Sequence, residues 1–248
     1  MDKESKKKVL KKYIFISFLL IAIATSILLM IKYNVEGEKN MPFQLDKIII
    51  KSSIDAQSRE SENLWDLSLS QNNDIYIYIK KSDNANDDEK IRKVKIEKIT
   101  ITDPNDLGNI KILLPTSNDI KTNYLQSTDD FLGKDIEYTA NTTDNMSNRE
   151  ICQDGGMIAF RISNQEIGQY ISNEGEEVQY NGSLLTIAGI EEKQIQFKVK
   201  MDLIIETTND EKYKGEINLD LPVDSFGDNG VVDKEITDFS NIIFKRSE

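Results

Sequence analysis

The side chains that could do chemistry in this chain are almost all carboxylates. There is no histidine, and Cys152 is the only cysteine. Ser-His-Asp and Cys-His catalysis, most zinc sites and the common proton shuttle are therefore excluded. Cys152 precedes Gln153 and Asp154 rather than basic residues, so it reads as a buried small hydrophobe and not as a reactive thiol. Two acidic loops invite a cation. In "DPNDLGN", Asp103, Asn105 and Gly108 occupy the first, third and sixth places of an EF-hand loop, but Leu107 and Leu114 stand where an oxygen ligand and a bidentate glutamate belong. In "DSFGDNGVVD", Asp224, Asp228, Asn229 and Asp233 could wrap a cation, although such Asx-Gly clusters are usually plain turns, and whether any metal binds is left open. For hydrolysis the sharpest candidates are Asp202 and Glu206, which share one strand face. At ~3.3 Å per residue they lie about 13 Å apart, against the ~5.5 Å or up to about 9.5 Å of paired glycosidase carboxylates. A solvated charged face fits them better. No catalytic residue, cofactor-binding residue or cofactor follows from the sequence, and the chain reads as a non-enzyme.

Sugar binding would need exposed aromatic platforms. Tyr76 and Tyr78 alternate with isoleucines and could stand on a strand surface, or be covered; Trp65, in phase with Leu67 and Leu69, reads as core. Gly155-Gly156 lacks the lysine and helix of a phosphate loop and reads as a tight turn needing positive φ. The sequons at Asn141, Asn145 and Asn181 carry no argument in a chain whose Ile, Lys and Asn content is that of an AT-rich bacterial genome.

The elements that must position these residues are strands. In "KQIQFKVKMDLIIETTNDEKYKGEINLDLP", Ile195, Phe197, Val199, Met201, Leu203 and Ile205 fall on one face, opposite Gln196, Lys198, Lys200, Asp202 and Glu206. The alternation resumes after Asn209-Asp210 and ends at Pro222, predicting a β-hairpin with one wet face. "LWDLSLS", "DIYIYIKK" and "GMIAFRIS" repeat the pattern. In "IRKVKIEKITI" the phase slips between Ile96 and Ile99, which a β-bulge near Lys98 would restore. Shorter strands are expected at Lys47 to Ile54, Ile110 to Leu114, Asp135 to Tyr138 and Ile242 to Phe244, with a turn or two of helix in "SLLTIAGIEEK". The fold class is all-β, an antiparallel β-sandwich preceded by a single N-terminal transmembrane helix.

That helix is written at the start. From Tyr13 to Ile31 nineteen residues carry no charge, roughly 28 Å of helix against a hydrocarbon core of ~30 Å. Ala22-Ile23-Ala24 resembles a cleavage site but bisects the apolar run, which favours an uncleaved anchor over a removed signal. Residues 1–12 hold six lysines against Asp2 and Glu4, while the whole chain is −12. Positive flanks stay in the cytoplasm, so the expected organisation is a cytoplasmic tail over 1–12, a membrane helix over 13–32, a stem over 33–42 and an extracytoplasmic β-sandwich over 43–248 of the cell membrane. The acidic exterior excludes nucleic acid as a partner.

At "MPFQLDKIII", "QNNDIYIYIKK" and "GGMIAFRIS" the chain resembles a group of uncharacterised, N-terminally anchored extracytoplasmic proteins of low-GC Gram-positive bacteria. The resemblance covers the anchor and most of the exterior. It implies the same topology and carries over no catalytic or binding residue. The expected role is contact with a protein partner at the cell envelope; the alternative is a carbohydrate- or cation-binding surface module.

Overall fold

The computed structural model describes residues 3–59, 64–104, 106–114, 132–142, 151–179 and 181–247. The chain forms two compact units, Met1–Lys39 and Asn40–Glu248. The first is helix α1, Lys3–Glu36. Its stretch Lys11–Glu36 is long and apolar enough to cross a membrane, and none of the apolar window within it is buried against protein. Two hydroxyls in it are absorbed locally: Thr25 Oγ1 donates to the Ile21 carbonyl and Ser26 Oγ to the Ala22 carbonyl, both at 2.9 Å, one turn back. Asn105 and Asn145 lie outside the described residues.

The second unit is a sandwich of two five-stranded antiparallel sheets. One sheet contains β1 (Phe43–Arg59), β2 (Asp66–Lys81), β4 (Asn109–Leu113), β6 (Gly155–Ile171) and β9 (Val231–Ile236), in the order β4-β6-β2-β1-β9. The other contains β3 (Ile91–Asp103), β5 (Ile136–Thr139), β7 (Phe197–Thr207), β8 (Lys212–Leu221) and β10 (Lys245–Ser247), in the order β10-β8-β7-β3-β5. We refer to them as the long and the short sheet, because β1 and β6 each run 17 residues, roughly 55 Å.

That length is used for two cores. Toward one end, Ile48, Ile77 and Phe160 of the long sheet pack against Ile96, Met201 and Ile217 of the short one. Toward the other end, Ile54, Leu69 and Ile167 pack against Leu184 and Leu185 of α2 (Ser183–Ile187), with Ile195 and Phe226. Each slip in the apolar phase coincides with a bulge. The β3 register shifts between Glu97 and Thr100, where Lys98 takes φ 53, and Val94, Ile96 and Ile99 are all buried as a result. A second bulge, with Glu166 at φ 57, returns Ile167 of β6 to the core side.

Between the two cores the inward face of the long sheet turns polar. Ser52, Gln71, Asn73 and Asn164 are all buried. Ser52 Oγ donates to Asn73 Oδ1 (2.7 Å), and Asn73 Nδ2 donates to the Ile162 carbonyl (3.1 Å). This corrects the division of "LWDLSLS" and "DIYIYIKK" into two strands. The intervening Gln71-Asn72-Asn73-Asp74 lacks the apolar alternation, yet it stays in β2, where its backbone pairs with β1 and β6 throughout and the Asn73 side chain is held by Ser52 and the Ile162 carbonyl. On the opposite face Arg161 of β6 donates through Nε and Nη2 to the two oxygens of Asp74 on β2, at 2.6 and 2.9 Å, with both residues buried.

Three further expectations are corrected. Trp65 keeps the parity of Leu67 and Leu69 but stands before the strand begins and is 44% exposed. The outer face of β7 is wet only as far as Lys200, and Asp202, Ile204 and Glu206 are buried. The last strand is Lys245–Ser247 and not Ile242–Phe244, because the Phe244 ring fills the place of the missing side chain at Gly215, where a Cβ would stand 2.8 Å from it. The sheets are also tied by Tyr138 of β5, whose hydroxyl donates to the Ala159 carbonyl of β6 at 2.7 Å.

Removing one partner of a buried ion pair strands the other. Asp74→Asn is expected to cost about 3–5 kcal/mol in chemical denaturation of the full chain. The double substitution Asp74→Leu with Arg161→Met is expected to recover most of that loss; if it is as unstable as the single variant, the pair is not the cause.

Candidate functional site

The residues singled out from sequence are only partly brought together. Asp103 ends β3, Asp106 donates its N–H to the Gln194 carbonyl (3.1 Å), and Gly108 takes φ 86. In the second loop Asp224 Oδ1 accepts the Ser225 N–H (2.9 Å), while the Asp228 carbonyl accepts the Gly182 N–H (3.0 Å). Asp233 is on β9. Among the described residues no three Cys, Asp or Glu side chains converge as a metal site. Cys152 is buried, and Gly155-Gly156 take φ 126 and 136 at the turn into β6. Tyr76 and Tyr78 are half-buried and pack with Met157 and Ala159.

The outer face of the short sheet is where charged groups gather, and register decides how. Asp202 on β7 lies between Glu97 on β3 and Glu216 on β8, a row of three carboxylates that the sequence spreads over 120 positions. The neighbouring row crosses Lys95, Ile204, Lys214 and Lys245 on β3, β7, β8 and β10. Lysines fold over the acids: Lys214 Nζ is 2.6 Å from Asp202, Lys98 Nζ 3.8 Å from the same oxygen, and Lys200 Nζ 2.5 Å from Glu216. Arg92 and Lys93 cover Glu206 in the same way. Thus Asp202 and Glu206 are buried by the aliphatic stems of basic side chains, and the face is neither freely solvated nor a bare acidic patch.

An open recess of ≈ 690 Å³ lies over this face. Its floor is Lys98, Lys200, Asp202, Lys214 and Glu216, and its rim is the C-terminal segment with Asn241, Ile243 and Lys245. Adjacent strands stand about 4.7–4.9 Å apart, so Asp202 and Glu216 come close enough for a carboxylate pair. Their electrostatics are those of ion pairs, however. A general acid needs a carboxyl whose pKa is raised toward the working pH. Here the hydrogen bond from Lys200, with help from Asn218, holds Glu216 below the ordinary carboxylate range, and the ammonium of Lys95, then that of Lys93, does the same to Glu137. Asp202 in turn raises the pKa of Lys214. The arrangement keeps both signs charged at neutral pH. Sequence reasoning reached Asp202 but missed Lys98, Lys214 and Lys245, whose meeting depends on a bulge and on two strand registers.

The lowered Glu216 and Glu137 set the sign of an acid effect. Their ion pairs support folding above the ordinary value of 4.5, and that support is lost as pH falls through the lower folded values. In a carboxyl-carbon NMR titration Glu216 is expected below 4.5, and Lys200→Gln is expected to move it back up. An unchanged titration in that variant would contradict the pairing.

No known protein family, curated protein or solved structure matches this chain.

Proposed function

We propose that the chain is a signal-anchored, single-pass protein of the cell membrane. In this reading its lysine-rich end stays in the cytoplasm, and its β unit works on the outer side as a non-catalytic interaction or accessory subunit of the envelope. The six lysines within the first twelve residues, against an acidic remainder, support that orientation.

One observation carries the contact reading. At the end of the long sheet farthest along β1 from Phe43, Leu64 (39%), Trp65 (44%) and Ile171 (58%) are all exposed. Ile171 is opposite Asp66, and backbone bonds tie Ser172 to Trp65. An exposed Trp at the end of a sheet, tied by its backbone to the end of the neighbouring strand and with exposed aliphatic residues nearby, has the composition of a protein-binding hot spot. One edge strand of the same sheet, β9, is less suited to pairing with another strand, since its Asp233, Lys234 and Glu235 are all exposed. The sugar-binding alternative would call on Tyr76 and Tyr78, which are packed with Met157.

A photo-crosslinking residue in place of Ile171 of the full chain, activated in its native membrane, is expected to capture a discrete protein. Trp65→Ala is expected to reduce that adduct at least about tenfold, as removal of a hot-spot side chain does. Recovery of wall polymer alone, or an adduct indifferent to Trp65→Ala, would contradict the reading.

A further inference from the structure

We infer, resting on the contact reading above, that the Trp65 end of the long sheet docks a cationic segment of a partner protein, one that sets lysine or arginine around an apolar anchor. Trp65 is held by one residue across the sheet end. Its N–H donates to Ser172 Oγ (2.8 Å), and its carbonyl accepts the Ser172 N–H (2.9 Å). Trp65 is thus 44% exposed on a fixed backbone, which leaves less to be ordered on binding. What surrounds it has one sign. From Ile162 to Glu192 the sequence holds six glutamates and no lysine or arginine. Three of them, Glu174, Glu176 and Glu177, follow closely on Ser172 and are exposed. The Tyr170 hydroxyl (2.6 Å), then the Asn173 N–H (2.9 Å), donate to Glu176 and hold its carboxyl below the ordinary range, so it stays charged. Asp66 is opposite Ile171 on β6 and Arg59 on β1, and Arg59 is the one basic residue from Ser52 to Ile79.

The contrast with the short sheet gives this charge its meaning. There Glu137, Asp202, Glu206 and Glu216 each have a lysine within ion-pair distance, whereas among the described residues Asp66, Glu174, Glu176 and Glu177 have neither lysine nor arginine there. The chain neutralises its carboxylates on one sheet and leaves them open around its only tryptophan. A complementary partner supplies cations at the rim and an apolar side chain at the centre. The rim charges steer encounter and reject wrong partners, while burial of the aromatic carries the affinity. An exposed tryptophan also suits a lipid interface, but the carboxylates beside this one are repelled by anionic lipid.

Trp65 reports on the test itself, since no other tryptophan contributes to the fluorescence. The full chain in phosphatidylcholine nanodiscs is titrated with a tryptophan-free heptapeptide alternating lysine with leucine, and with its counterpart carrying glutamate for lysine. A saturable blue shift is expected with the lysine peptide alone. Glu174→Lys with Glu177→Lys, both at exposed positions, should leave melting unchanged and weaken that binding at least about tenfold, the scale of like charges set against each other. Asp87→Lys with Asp88→Lys makes the same change of net charge in the loop after β2, at the other end of that strand, and should leave the affinity within about twofold. Equal weakening by the two variants, no shift, or an equal response to the glutamate peptide overturns the inference. So does a blue shift from phosphatidylglycerol vesicles alone, which would assign Trp65 to lipid. The Ile171 crosslink in the native membrane separates this from the contact reading. A discrete protein adduct undiminished by Glu174→Lys with Glu177→Lys would keep the contact and overturn the cationic partner, whereas absence of any protein adduct would overturn the contact reading itself.

Discussion

The constraint on which this molecule depends is the removal of apolar side chains from water, and the chain meets it in two incompatible ways. In Lys11–Glu36 the apolar residues surround the helix, and the protein covers none of the apolar window. Such a surface is apolar enough for a hydrocarbon medium, because no face is left polar. In the β unit the strand residues are instead placed by a two-residue period, so that Ile75, Ile77 and Ile79 go inward while their neighbours go outward. Bulges are the cost of keeping that rule over long strands: at Lys98 and Glu166 the backbone takes a positive φ and the next isoleucine returns to the core, and a register shift between Leu45 and Lys47 does the same for Ile48 of β1.

The long sheet also shows why one hydrophobic core is not enough for strands of this length. The short sheet covers one part and α2 with its neighbours covers the other. The buried row of Ser52, Gln71, Asn73 and Asn164 stands at the junction. Gln71 and Asn164 are directly opposite each other, and their side-chain oxygens lack a hydrogen-bond partner among the described residues. Leaving such atoms unpaired is unfavourable, so the row contributes fixed register rather than net stability: a one-residue slip would turn the amides outward and the flanking isoleucines with them.

What the sequence made legible was whatever is local in sequence. The sandwich class, the β7–β8 hairpin, the Gly155-Gly156 turn and the bulge at Lys98 all follow from alternation and its interruptions within a few residues. What it hid depends on neighbours distant in sequence. Gln71 to Asp74 interrupt the apolar alternation, and their place in the strand shows only when Ser52, Ile162 and Arg161 are brought beside them. Asp202 looks solvated until Lys98 and Lys214 are laid over it by adjacent strands. Trp65 has core parity, but parity says nothing about where cover ends. The candidate site belongs wholly to this second kind, since Lys98, Lys214 and Lys245 approach one another only through the register of β3, β7, β8 and β10.

The contact role assigned to the apolar end near Trp65 presumes a β unit that faces away from the cytoplasm. Single cysteines resolve this directly, because the native Cys152 is buried and stays silent toward a bulky reagent. In intact cells a membrane-impermeant maleimide is predicted to label Asp88→Cys, in the exposed loop between β2 and β3, and to label Lys7→Cys only after lysis. Labelling of Lys7→Cys from outside, with Asp88→Cys protected until lysis, would contradict the account.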